Sequence, residues 1–101
     1  MDGKERRFIQ FGNTILFDPA YQSLSAGAKH LYLCFAMECG GKREFIFPQA
    51  AAPKYGIAPR SFRRHVDELT AAGFITKQSG ATARLPNAYQ FSFEWKQAKP
   101  P

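Results

Sequence analysis

Residues 48–75, PQAAAPKYGIAPRSFRRHVDELTAAGFI, limit what this chain can fold into more than any other stretch. A short apolar segment is cut by Gly56, the residue best able to take the left-handed conformation of a tight turn. Pro59 then suits the first position of a second helix, and Gly73 suits its end, at about Ala72. Phe74 and Ile75 begin an apolar strand directly afterwards. A helix, a glycine turn, a helix and a strand in this order predict a helix-turn-helix leading into a wing. Pro53 constrains the first helix. Inside an α-helix it would lose a hydrogen bond and clash with the preceding turn, at ~3 kcal/mol or more. The expected remedy is a late start near Ala51 or Ala52, with Pro53 in the first turn.

Phe62, Val66 and Leu69 recur at helical spacing and predict the buried stripe of the second helix, with His65 at its border. Ala52, Tyr55 and Ile57 are expected to join that core. Arg60, Ser61, Arg63 and Arg64 are left outward near the helix start, where the dipole favours anions and a recognition helix meets base edges. Arg60 and Arg64 are one turn apart and suit bidentate contact with guanine, whereas Ser61 and Arg63 suit phosphates. Asp67 and Glu68 fall later, as a solvated acid pair. Lys54 ends the first helix and is a further candidate for the DNA backbone. So are Lys77, with Lys42 and Arg43, while Arg84 in the expected wing suits a minor groove or a phosphate. Singly, each arginine is an ordinary solvated residue. Three of them behind Gly-Ile-Ala-Pro, in one basic segment, favour a polyanion contact.

The charge distribution agrees. The chain carries +6 overall with a pI of about 9.6, and residues 42–84 hold eight basic residues against three acids. Such an imbalance suits nucleic acid. With 101 residues, 45% of them hydrophobic and ten of them Phe, one packed domain is expected. Cys34 and Cys39 are five apart on an expected helix and do not face each other, so no disulfide is expected. No Cys or His pair has zinc spacing, and neither a metal nor a cofactor is predicted. Ser25 reads as a helix cap rather than a nucleophile, and Gly40-Gly41 lacks the Lys-Ser/Thr ending of a phosphate loop. His65 reads as a structural core histidine and His30 as a surface one. An enzyme is therefore not expected. The charged start MDGKERR lacks an apolar core, and no apolar run reaches membrane-spanning length. A cytoplasmic protein is the expectation.

Elsewhere, FIQF and TILF flank Gly12-Asn13 and read as a hairpin or as one extended arm; neither run alternates cleanly, which favours an arm packed on the body and broken by Asp18-Pro19. Ser25 is the expected N-cap of a long helix ending at Cys39, before Gly40-Gly41. Leu24, Ala28, Leu31, Tyr32, Phe35 and Cys39 form its core stripe. Leu33, Cys34 and Met37 make a second apolar side that needs a cover, either the arm or a second copy of the chain. Residues 44–47 predict a short strand ended by Pro48. Residues 74–78 and 88–93 predict paired strands, with Phe74, Thr76 and Gln78 on one face. Residues 79–87 are the wing, and Trp95 seals the last strand.

With these parts placed, the chain resembles winged-helix domains of plasmid replication initiators and of replication or regulatory proteins of phages and integrative elements. The resemblance covers roughly residues 8–95 and rests on LSAGAKHLY, FP, YGIAPRSFRRHVDEL, GFI and PNAYQFSFEW. It implies an α+β, mostly helical fold: three helices, a small antiparallel sheet and a wing, with an N-terminal extended arm. The expected division is an arm over 1–22, a body over 23–93 and a tail over 94–101, all within one domain. It further implies residues 59–70 as recognition helix, double-stranded DNA as partner, a possible homodimer through the long helix or arm, and replication initiation or transcriptional regulation as the role. The other reading is a protein–protein interaction module with only non-specific nucleic-acid affinity, docking through Leu33 and Met37.

Overall fold

A computed structural model, which describes residues 12–78 and 88–97 (the backbone alone at 96 and 97), gives helix where an extended arm was expected. Helices α1 (Asn13–Leu16) and α2 (Pro19–Gln22) open the described chain. Asp18 and Pro19 do not break an arm. Asp18 caps α2, its side chain accepting from Ala20 N at 2.8 Å, and Pro19 takes the first helical position. Tyr21 is buried, so residues 12–22 belong to the body of the fold.

The long helix α3 (Ala26–Cys39) follows the expectation at both ends. Ser25 Oγ accepts from Ala28 N at 3.2 Å, and Gly40 ends the helix. It packs against β1 (Glu44–Ile46) and against α4 (Pro59–Ala71). Between those two lies Gln49–Tyr55, a 3-10 helix rather than the late-starting α-helix expected. Bonds from Ala51 N to Pro48 O (2.8 Å) and from Gly56 N to Pro53 O (2.9 Å) show the tighter i to i+3 winding. That winding lets helical turns begin at Gln49 with Pro53 inside them, because no i to i+4 ladder is there to be broken.

Strands β2 (Ile75–Gln78) and β3 (Ala88–Phe91) pair antiparallel, and β1 adds to the far side of β3, giving the order β1-β3-β2. Phe45 and Lys77 both lie opposite Tyr89, so these three share a face. The other face carries Glu44, Thr76 and Gln90, with Gln78 Nε2 donating to Gln90 Oε1 at 3.1 Å. Phe74 lies just before β2 and is buried against Tyr21, Tyr32 and Trp95. Trp95 sits in a helical turn, α5 (Glu94–Gln97), and is buried, so the expected tail begins inside the fold. The result is an α+β chain, mostly helical, with one small antiparallel sheet.

Two aromatic groups fill the core. Phe35 contacts Phe45, Phe47 and Tyr89, joining α3 to the sheet, while Phe74 stacks on Trp95. The second side of α3 is covered in part by the 3-10 helix. His30, Cys34 and Glu38 make one stripe, and Tyr55 lies against it: His30 Nε2 is 3.0 Å from Tyr55 O, and Tyr55 Oη donates to Glu38 Oε2. Cys34 is consequently buried, and burial pushes its thiol up to about 11. Leu33 and Met37 are half-buried.

Candidate nucleic-acid interface

The start of α4 is set by the turn before it. Gly56 holds φ at 79°, and Ile57 N closes onto Ala52 O at 3.1 Å. Ala58, the N-cap, has no side-chain oxygen, and Pro59 needs no donor. The first-turn amides of Arg60 and Ser61 are thus uncapped by any side chain at the positive end of the helix.

Phe62, His65, Val66 and Leu69 form the buried face of α4, as the sequence predicts. Arg60, Arg63 and Arg64 are exposed and Ser61 is half-buried. At ~100° per residue, Arg60 and Arg64 point within ~40° of each other, away from the buried stripe. Arg63 is turned toward the sheet, where it shares a cleft of about 420 Å³ with Gln49, Asp67 and Lys77. The structure therefore brings together Arg60, Ser61, Arg63, Arg64 and Lys77.

Lys54 is placed differently. Its Nζ is 2.8 Å from Glu38 Oε2 and 5.1 Å from the centre of the Tyr55 ring, so it is tied to α3. Arg43 is also engaged, its Nε donating to Phe91 O at 3.1 Å. None of Arg60, Arg63, Arg64 or Lys77 forms an ion pair among the described residues. Arg84 and the expected wing, 79–87, lie outside the described residues.

Glu68 is not the solvated acid the sequence suggested. Its carboxylate reaches across to α3 and accepts from Ser25 N and Ser25 Oγ, both at 2.7 Å. In a capping box the acid stands three residues after the cap. Ala28 holds that position, and Glu68 supplies the carboxylate from 43 residues away. Two residues after Ser25, the backbone of Gly27 lies so close to His65 that a Cβ there would meet Nε2 at 2.1 Å, and only glycine permits this approach. The only local trace of this latch in the sequence is the missing acid at Ala28.

The latch is pH-sensitive. Burial and the Arg64 charge lower the His65 pKa below its ordinary 6.5, with Glu68 opposing. His65 Nδ1 has no hydrogen-bond partner among the described residues and lies 4.0 Å from Glu68 Oε1. For Glu68, burial raises the pKa, but the two Ser25 hydrogen bonds, His65 and Arg64 outweigh it and hold it below 4.5. A depressed histidine means the unfolded chain binds the proton first, so stability falls as pH drops below 6.5. A depressed carboxylate adds a second loss as pH drops below 4.5 toward the folded value. Chemical denaturation across pH should show both declines. Glu68→Gln should remove the lower one and cost about 1 kcal/mol near neutral pH, a value discounted because the carboxylate is partly exposed. An identical profile for wild type and variant would disprove the latch.

No three His, Cys, Asp or Glu side chains among the described residues are arranged to hold a metal ion. No helix among them is long and apolar enough to cross a membrane. No protein-family model, curated protein or solved structure matches the chain.

Proposed function

We propose that this chain is a winged helix-turn-helix protein that binds double-stranded DNA, with α4 as its recognition helix. One observation carries the reading. The outward, N-terminal half of α4 holds three exposed arginines free of ion pairs among the described residues, while Lys54 and Glu68 nearby are engaged in the fold. Free guanidinium groups at the positive end of a helix suit phosphate and guanine. The order of a 3-10 helix, a glycine turn, α4 and a two-stranded β2–β3 pairing supports the winged form. The anchoring of α4 on α3 through Ser25 and Glu68 gives the helix a fixed pose, as base reading requires. Replication initiation or transcriptional regulation of a bacterial mobile element is the role that the resemblance suggests.

Selection from a random duplex library across a salt series tests this. A steep salt dependence and an enriched motif are expected. Weak, salt-labile binding with no motif would favour the second reading, an interaction module for other proteins. That reading draws on Leu16, Phe17 and Phe93, which are exposed, rather than on the half-buried Leu33 and Met37.

A further inference from the structure

We infer that Asp67 is a base-reading residue that selects a cytosine in the DNA site, an inference that rests on the proposed role of α4. Asp67 follows Arg60 by seven residues, which returns it to within ~20° of Arg60 about the helix axis and ~10 Å further along it. It therefore belongs to the arginine face, not to a separate acidic one. It is exposed and lines the same cleft as Gln49, Arg63 and Lys77.

Three other described acids have structural employment. Glu68 closes on Ser25, Glu38 holds Lys54 and Tyr55, and Asp18 caps α2. Asp67 has neither an ion pair nor a hydrogen bond among the described residues, although Arg63 and Arg64 lie at the i−4 and i−3 positions that pair on helices. A carboxylate flanked by Arg63 and Lys77 on a DNA-facing surface is repelled by phosphate. An acceptor-only group gains there by meeting an exocyclic amine. The major groove offers two such amines, adenine N6 and cytosine N4; adenine carries the N7 acceptor beside N6, which repels a carboxylate, so cytosine N4 is the base-edge partner suited to aspartate. Arg63 and Lys77 on either side would hold the flanking phosphates.

Selection from a random duplex library with wild type, Asp67→Ala, Asp67→Asn and the Arg60/Arg63/Arg64 triple alanine variant tests the inference. The wild type should enrich a C·G pair in one column, with a preference on the order of tenfold to a hundredfold. Asp67→Ala should flatten that column alone, while affinity for other sequences holds or rises as a negative charge leaves the DNA face. Asp67→Asn should move the column to adenine, whose N6 and N7 suit an amide. The exposed position should leave the melting temperature of both variants near the wild-type value. The same motif from all three would overturn the inference and leave DNA binding standing, as would no motif with affinity still dependent on the arginines. Affinity that ignores the arginines as well would remove the proposed function itself.

Discussion

Replacing Arg60, Arg63 and Arg64 together by alanine is expected to weaken duplex binding by at least about a hundredfold at moderate salt. The number follows from the parts. Each bidentate arginine–guanine contact contributes ~1–3 kcal/mol of discrimination, and Arg60 and Arg64 share the outward direction such contacts need. Each phosphate neutralised adds about 0.9 to the log–log salt slope, so the triple variant should flatten the slope by about 0.9, through Arg63. Single variants should divide these effects. Arg60→Ala and Arg64→Ala should relax the preferred motif with little change in slope. Arg63→Ala should weaken all sequences alike and flatten the slope by about one contact. All three side chains are exposed and free of ion pairs among the described residues, so stability should stay within about 0.5 kcal/mol. Unchanged affinity and slope in the triple variant would end the assignment of α4 as the DNA-contacting helix. Lys54→Ala is the internal control. Its ammonium is tied to Glu38, so its effect on affinity should be the smallest of the set.

What the sequence made legible was decided by local chemistry. Ser25, Gly56 and Pro59 act on the turn they stand in: α3 and α4 begin where Ser25 and Pro59 say, and Gly56 ends the 3-10 helix. The buried stripe of α4 was equally readable, because Phe62, Val66 and Leu69 repeat at one helical period. Asp18-Pro19 was misread because one pair of residues serves two purposes. It interrupts an extended chain, and it also makes a good cap and first position for a helix. Pro53 was a correct warning with the wrong remedy. The chain does not postpone its helix but winds it more tightly.

Long-range partnerships were out of reach. Nothing near Ser25 names Glu68, and nothing near Lys54 names Glu38, so the residues that fix the pose of α4 and a cation withdrawn from the candidate interface appear only in three dimensions. The candidate site divides along the same line. Its arginines were visible because they cluster on one short helix. The place of Lys77 beside Arg63 depends on the β2–β3 register, which the sequence alone does not fix.

Phe35→Ala should have the largest effect on stability. The ring is fully buried, and its centre lies 5.1 Å from that of Phe45, 4.9 Å from Phe47 and 5.1 Å from Tyr89. It thus joins α3 to both β1 and β3, and its loss leaves a void bounded by rings that cannot collapse together. Such truncations cost about 3–5 kcal/mol, a large share of the 5–15 kcal/mol that holds an ordinary domain together. For a domain of this size, about 4–8 °C is lost per kcal/mol, so the melting temperature should fall by at least about 12 °C. Phe35→Leu keeps much of the volume and should cost under about 2 kcal/mol, which keeps the test readable if the alanine variant fails to fold. Phe93→Ala removes a ring of the same size from a half-exposed site and should cost far less. Thermal melts followed by circular dichroism would rank the three. A Phe35→Ala shift no larger than that of Phe93→Ala would refute the aromatic group as the joint between helix and sheet. The salt slope of DNA binding, measured at low temperature on Phe35→Leu, should match the wild type, because the ring touches α3, the sheet and the segment before Pro48 but none of the arginines on α4.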